Sequence, residues 1–215
     1  MAFNDPEDLA KIFNTDVFLE WSKDIASRFW LPLLALYTGC RLEEIASLYC
    51  KDVFEHKNFW CIDINDDNDG KVKNENAIRS IPLHPILVDQ FKFLQYVERV
   101  RSEGHSRVFP ELKRVNEKYG HEFSKRFGYY LRKKVGLTNK KKTFHSFRHN
   151  VSDHLYKKLV MESLVEELTG RAGKSETRKR YAKGYRVDTI YEECILKLEY
   201  QVDLKPLKKS SFVPS

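Results

Sequence analysis

The sequence lacks any apolar run long enough to cross a membrane, and its N-terminus has no signal-peptide pattern. It has only four cysteines in 215 residues, and they form neither a CxxC pair nor the spacing of a metal site. Internal repeats and low-complexity tracts are also missing. These absences argue against a membrane protein, a disulfide-rich secreted domain and a zinc-binding module. They favour a cytoplasmic protein with reduced thiols.

Positive charge is what the sequence has in excess. Lys and Arg number 38 against 31 Asp and Glu, which gives a formal net charge of +7 and a pI near 9.1. A balance of this sign favours a polyanionic partner, although it does not identify one. The hydrophobic content of 41% with 32% charged residues is ordinary for a globular protein, and the length allows one sizeable domain or two small ones.

Helical periodicity dominates the sequence and is interrupted once by a region of strand character. Residues 59–64, 71–73 and 77–83 have the composition of short strands, and the run 65–70 is rich in turn formers. We therefore predict an α+β fold that is mainly α, with a small three-stranded antiparallel sheet inserted among the helices. The predicted helices cover residues 5–13, 18–37 with an interruption near Pro32, 41–48, 85–100, 123–135, 145–158, 162–168 and 189–200.

One stretch, residues 143–149, concentrates side chains that can carry chemistry. If it is helical, Phe144 and Phe147 share an apolar face, while His145 and Arg148 share another. An imidazole beside a guanidinium suits an oxyanion with a transferable proton, and a phosphate is the obvious candidate. The alternative is a helix with one capping histidine and one surface arginine. This stretch alone does not decide between the two interpretations.

Further candidate residues are spread along the chain. Arg41 follows a glycine-bearing helix break in an apolar region, where an unpaired charge is unfavourable, and Glu44 can neutralise it. Lys73 lies beside a predicted hairpin turn, Arg171 follows a glycine, and Tyr181 follows three basic residues. Each has an ordinary structural explanation by itself: a surface ion pair, a solvated lysine, a helix end and a partly buried aromatic.

Taken in order, these residues resemble the motifs of the tyrosine recombinases, the phage integrase family. The similar segments are Thr38-Gly39-Cys40-Arg41-Leu42-Glu43-Glu44-Ile45, Lys73 followed by Arg79-Ser80-Ile81-Pro82-Leu83, His145-Ser146-Phe147-Arg148-His149, Leu168-Thr169-Gly170-Arg171 and Arg180-Tyr181-Ala182-Lys183-Gly184-Tyr185. The resemblance covers roughly residues 5–200. Each motif alone is loose, but five in this order are specific. They imply the fold of the DNA breaking-rejoining enzymes.

The resemblance also implies a reaction. Tyr181 would attack a phosphorus of DNA and form a 3′-phosphotyrosyl link, without a metal or any cofactor. Lys73 would protonate the departing 5′-hydroxyl, and His145 would accept the tyrosine proton or help to hold the phosphate. Tyr185 is the competing nucleophile, but the family's tyrosine segment favours Tyr181.

The remaining catalytic positions are implied in the same way. Arg41 and Arg148 would clamp the two non-bridging phosphate oxygens, and Glu44 would support a neighbouring cation. Arg171 would complete the phosphate site. The family usually has His or Trp at the position of Arg171, and this departure leaves a weakened enzyme open as an alternative.

Basic groups outside these motifs are expected to contact the DNA backbone and to make binding sensitive to salt. The predicted DNA-contacting residues are Lys140, Lys141, Lys142, Arg178, Lys179 and Arg180. The expected partner is double-stranded DNA carrying attachment sites, bound by a homotetramer whose subunits are monomeric in isolation.

The expected domains are a catalytic domain at 1–185 and a C-terminal helix and tail at 186–215 that docks on a neighbouring protomer. An N-terminal DNA-binding domain is expected to lie outside this chain. The function predicted from these observations is site-specific recombination by a prophage integrase. A type IB topoisomerase and a DNA-binding remnant with a weakened site are the alternatives.

Overall fold

Helices make up most of the computed structural model, which describes residues 1–66, 78–171 and 185–214. In chain order the α-helices are α1 (Glu7–Ile12), α2 (Thr15–Ser22), α3 (Ala26–Thr38), α4 (Leu42–Ala46), α5 (Phe93–Ser102), α6 (Gly120–Tyr129), α7 (Ser146–Lys157), α8 (Glu162–Thr169) and α9 (Val187–Glu193). Shorter helical turns occur at Cys50–Asp52, Ile86–Gln90, Tyr130–Lys134, Ile195–Lys197 and Lys205–Lys209.

A three-stranded antiparallel sheet interrupts the helices in the order β1 (Val53–His56), β2 (Phe59–Ile64) and β3 (Arg79–Pro82). Its register places Ile62 between Val53 and Ile81, and Ile64 opposite Arg79. The predicted fold class, mainly helical with a small antiparallel sheet, is therefore confirmed. The predicted strand at 71–73 lies outside the described residues.

Strand β1 was not predicted from the sequence. It joins β2 through Lys57 and Asn58, and Lys57 has a left-handed backbone with φ of 55°. Two-residue hairpin turns are usually recognised by glycine beside asparagine or aspartate, because glycine adopts positive φ without strain. A lysine at that position gives no such signal, so the hairpin is visible only in the tertiary structure.

Helix α3 is the centre of the hydrophobic core. Phe29, Trp30, Leu33 and Leu34 are all fully buried, and the helix is covered by neighbours on every side. Gly39 ends α3 in a left-handed conformation, with φ of 66°. A Cβ atom there would lie 3.2 Å from the Val151 side chain, so glycine also allows α7 to approach α3 closely.

The prediction of a long helix over residues 18–37, interrupted near Pro32, is wrong about where the interruption lies. The chain turns at residues 23–25, between α2 and α3, and α3 continues through Pro32. Proline removes one helical hydrogen bond, but the burial of α3 outweighs that loss here. The helix predicted for 85–100 is also divided, because Lys92 adopts φ of 58° between the turn at Ile86–Gln90 and α5.

Residues 185–214 pack against the rest of the same chain. Helix α9 lies against β3 and α8, and Ile195 beyond it is fully buried. The Tyr200 hydroxyl donates to the Leu36 carbonyl at 2.9 Å, and the Phe212 ring lies 6.1 Å from that of Phe29. No helix within the described ranges is both long and apolar enough to cross a membrane.

Candidate active site

The turn between α3 and α4 supplies the first arginine of the site. Arg41 lies immediately before α4, in an extended conformation. Its backbone N–H donates to Glu44 Oε2 at 2.7 Å, and its Nη1 donates to Glu44 Oε1 at 2.6 Å. The pairing of Arg41 with Glu44 that the spacing predicted is therefore confirmed. The Arg41 side chain remains 37% exposed, so it can reach a ligand in solution.

Arg148 of α7 reaches the same turn from the other side. It is only 2% exposed, and its Nη1 donates to the Gly39 carbonyl at 2.9 Å. Its Nη2 is buried and has no hydrogen-bond partner among the described residues. Burial and then the positive charge of Arg41 lower the pKa of Arg148 to about 10, which leaves the guanidinium charged at neutral pH. The two predicted clamp arginines thus converge on the segment 39–41.

His145 immediately precedes α7 and is exposed. Although its side chain is accessible, desolvation of the ring by its neighbours, and then the charges of His149, Arg148, Arg171 and Arg41, lower the pKa of His145 to about 4. The imidazole is therefore neutral at physiological pH and able to accept a proton. The predicted apolar face is confirmed, since Phe144 and Phe147 are buried with ring centroids 5.5 Å apart.

The end of α8 brings Arg171 to the same region. Gly170 terminates the helix in a left-handed conformation with φ of 59°, and the Arg171 N–H donates to the Glu166 carbonyl at 2.9 Å. The Gly170 carbonyl accepts from Arg41 Nη2 at 3.1 Å. Burial is the main cause of the lowered pKa values of His145 and His149, and the positive charge of Arg171 contributes to both shifts.

Arg79, on β3, belongs to the site although no role was predicted for it from the sequence. Its side chain is 4% exposed; its Nη2 donates to Glu44 Oε2 at 3.0 Å, and its Nε donates to the Leu168 carbonyl at 2.9 Å. Burial raises the pKa of Glu44, but the charge of Arg79 and the hydrogen bonds from Arg79 and Arg41 together bring it below its ordinary value. Alternate side chains of a strand face the same side, so Arg79 shares the face of the buried Ile81. This alternation could have indicated that Arg79 points inward.

Several predicted site residues lie outside the described residues. They are Lys73, Arg178, Lys179, Arg180 and Tyr181. Among the predicted DNA-contacting lysines, Lys140 and Lys141 are exposed. Lys142 differs from them, because it is 7% exposed and its ammonium is paired with the buried carboxylate of Asp8. The structure therefore gives Lys142 the role of anchoring α1, and leaves Lys140 and Lys141 accessible to a phosphate backbone.

The assembled site carries surplus positive charge. The Glu44 carboxylate is shared between two guanidinium groups, those of Arg41 and Arg79, and Arg148 and Arg171 add positive charge close by. Guanidinium groups at these positions can hold an anion by charge-assisted hydrogen bonds, and the neutral His145 can accept a proton beside it. The arrangement fits a phosphate ester better than a neutral substrate.

Comparison with known proteins agrees with this geometry. Residues 4–186 match the sequence profile described as the Phage integrase family. A solved structure of the site-specific recombinase XerH, bound to difH substrate before cleavage, aligns over 89% of this chain with 18% identity and a TM-score of 0.56. Another, XerH bound to palindromic difH substrate after cleavage, aligns over 89% with 20% identity and a TM-score of 0.56. This chain spans about half of those chains, 52% and 53%. No curated protein matches its sequence.

Proposed function

Because this chain belongs to the phage integrase family and forms a tyrosine recombinase catalytic domain, we propose that it cuts and rejoins double-stranded DNA at specific sites. The observation that carries the proposal is the environment of Arg148. Its Nη2 is buried without a partner among the described residues, while its Nη1 donates to the carbonyl of Gly39, which lies just before Arg41 in the chain. A buried, charged donor is unfavourable until an anion arrives, and a DNA phosphate supplies one.

The reaction is a transesterification at one phosphate. The Tyr181 oxygen attacks the phosphorus, the bond from phosphorus to the 5′-oxygen breaks, and a 3′-phosphotyrosyl link stores the bond for rejoining. His145 takes the phenolic proton, and Lys73 gives a proton to the departing 5′-oxygen. Attack by a 5′-hydroxyl of another strand reverses these steps. No metal or other cofactor takes part in the proposed sequence.

The arginines stabilise the transition state. Arg41 and Arg148 each present a planar fork that can bind a non-bridging oxygen, and Arg171 adds positive charge from the end of α8. A free tyrosine has a pKa of about 10, so its phenolate is scarce at neutral pH. A cluster of cations around the phosphate favours the charged phenolate and so makes the attack easier. Glu44 orients Arg41 and does not itself react.

The proposed partner is DNA bearing attachment sites, in line with the complexes of the site-specific recombinase XerH with its difH substrate. We propose that subunits are monomeric alone and form a homotetramer on DNA, with residues 186–215 docking on a neighbouring protomer. In this chain α9 packs on its own β3 and α8. A prophage origin and a cytoplasmic location are further parts of the proposal and rest on the sequence patterns alone.

Covalent trapping tests the proposal. The chain is incubated with nicked duplexes of randomised sequence, and adducts that survive denaturing electrophoresis are recovered and sequenced. The selected duplex is then used to compare the wild type with Tyr181→Phe and Arg148→Ala. We expect an adduct on Tyr181 in the wild type and none in Tyr181→Phe. Loss of the Arg148 guanidinium should slow adduct formation by roughly 100- to 1000-fold, as for removal of one transition-state donor.

The same reagents separate the alternatives. Joining of two differently labelled duplexes supports recombination, whereas relaxation of supercoiled DNA without joining would favour a type IB topoisomerase. Salt-sensitive DNA binding with no adduct from any duplex would favour a DNA-binding remnant. An adduct that persists in Tyr181→Phe would overturn the assignment of the nucleophile, with Tyr185→Phe as the matched control.

A further inference from the structure

We propose that Arg79 is a positioning residue that keeps the Arg41 guanidinium available to the substrate phosphate by sharing the Glu44 carboxylate. This inference rests on the proposed function, because it concerns the presentation of a phosphate-binding arginine. Arg79 does not reach the substrate itself, since its side chain is 4% exposed and lies behind Glu44. It acts through two groups that contact Arg41, namely Glu44 and the Gly170 carbonyl.

The first link is electrostatic. Glu44 accepts hydrogen bonds from Arg41 at 2.6 Å and from Arg79 at 3.0 Å, so one negative charge faces two positive charges. If Arg79 were absent, Glu44 and Arg41 would form a closed pair, and the charge of Arg41 towards a phosphate would be largely cancelled. With Arg79 present, the negative charge of the Glu44 carboxylate is already balanced by the buried Arg79 guanidinium. The partly exposed Arg41 then keeps its positive charge for a ligand.

The second link is geometric. Arg79 Nε donates to the Leu168 carbonyl at 2.9 Å, which ties β3 to the last turn of α8. Its guanidinium lies against Gly170 so closely that a Cβ atom there would be 2.5 Å from Nη1. The Gly170 carbonyl in turn accepts from Arg41 Nη2 at 3.1 Å. Arg79 therefore fixes the Gly170 carbonyl, which orients Arg41. It also fixes the backbone at which Arg171 begins.

A purely structural role is the competing explanation for a buried arginine. In that case Arg79 would only join β3 to α8, and its loss would lower stability without changing the cleavage rate of the folded molecules. A positioning role makes a different prediction, because the harm done by removing Arg79 then depends on the charge of Glu44. Removing that charge as well should free Arg41 again. The double variant therefore distinguishes the two roles.

The experiment measures single-turnover adduct formation at saturating DNA, using the duplex selected by covalent trapping. DNA affinity and urea unfolding are measured on the same proteins. The variants are Arg79→Met, Glu44→Gln and the combination of both. Arg28→Met is the matched control, because Arg28 donates to the Trp21 carbonyl at 3.0 Å and lies at the opposite end of α3 from Gly39.

We expect Arg79→Met to slow adduct formation by about 100-fold, the effect of a small misplacement of a catalytic group. Adding Glu44→Gln should restore about 10-fold of that loss, because Arg41 is then released from a closed ion pair. Arg28→Met should lower stability and leave the adduct rate per folded molecule unchanged. Arg79→Lys, which keeps the charge but not the planar fork, should lie between Arg79→Met and the wild type.

The inference fails if Arg79→Met reacts at the wild-type rate per folded molecule, or if the two substitutions combine without any recovery. If Arg79→Met does not fold, Arg79→Lys and the double variant, which removes both charges of the Arg79–Glu44 pair, decide the question. In that case a wild-type rate per folded molecule in Arg79→Lys would contradict the inference. A double variant that reacts at the wild-type rate per folded molecule, while Glu44→Gln alone is slow, would also contradict it. Absence of any adduct from the wild-type chain would instead refute the proposed function.

Discussion

Replacement of Gly170 by alanine tests how tightly the end of α8 is built against the arginine cluster. Gly170 has φ of 59°, and a Cβ atom would lie 2.5 Å from Arg79 Nη1 and 2.8 Å from its Cζ. The left-handed conformation alone disfavours alanine by about 1–2 kcal/mol. The added methyl group must also displace a guanidinium that is held by the Leu168 carbonyl and by Glu44.

The size of the effect follows from these two contributions. Losing one hydrogen bond of a buried charged group costs about 1.5–3 kcal/mol. Together with the backbone strain, Gly170→Ala should lower the free energy of unfolding by about 2.5–5 kcal/mol. Displacement of Arg79 should also slow adduct formation, because the Gly170 carbonyl and Glu44 both orient Arg41.

Two other glycines provide controls for the strain alone. Gly104 and Gly136 also have positive φ, of 84° and 78°, but a Cβ atom at either would meet nothing within 4 Å. Alanine there should cost only about 1–2 kcal/mol and should not affect cleavage. Equilibrium urea unfolding of the three variants gives the comparison. If Gly170→Ala costs no more than Gly104→Ala, the close packing of Arg79 on this turn contributes little to stability.

Three further predictions concern stability. His84 is 8% exposed, and its ring accepts a hydrogen bond from the Ile86 N–H. Burial lowers the pKa of His84 to about 4. Below pH 6.5 the unfolded chain therefore binds more protons than the folded chain. Stability should therefore fall by up to about 3 kcal/mol between pH 6.5 and 4, and His84→Asn, whose side-chain oxygen can still accept, should remove that part of the pH dependence in urea titrations. Lys142→Met should cost about 3–5 kcal/mol by leaving the Asp8 carboxylate buried and unpaired, and adding Asp8→Asn should recover much of it; a double variant no more stable than Lys142→Met would contradict this. Phe147→Ala, which removes a fully buried ring, should cost about 3–5 kcal/mol in the same assay, and a cost below 1 kcal/mol would show that the core can close around the cavity.

The helices at the site were largely predictable because their signals are local. The spacing of Arg41 and Glu44, and of Phe144 and Phe147, fixes which side chains can meet within one turn of backbone. The structure bears out both pairs. Gly170 likewise ends α8 where a glycine after an apolar helix is expected to end it.

The environment of each charged group was not predictable in the same way. The sequence contains many basic residues, and spacing alone does not separate the buried, anchoring Lys142 from the exposed Lys141. Strand alternation can indicate that Arg79 faces inward, but the sequence does not show that its partner is Glu44, 35 positions away. Burial and long-range pairing depend on how helices and strands pack, and that packing is set by the whole core.

The sequence by itself therefore determined the helical architecture, the family and the order of the candidate catalytic residues, because periodicity and motif spacing are properties of neighbouring positions. Only the tertiary structure decided that Arg148 is buried with its Nη1 on Gly39, 109 positions earlier, and that Arg41 bonds to Gly170, 129 positions later. Contacts over such separations arise where α7 and the end of α8 pack against the turn after α3. Their geometry decides which of many similar cations share one site.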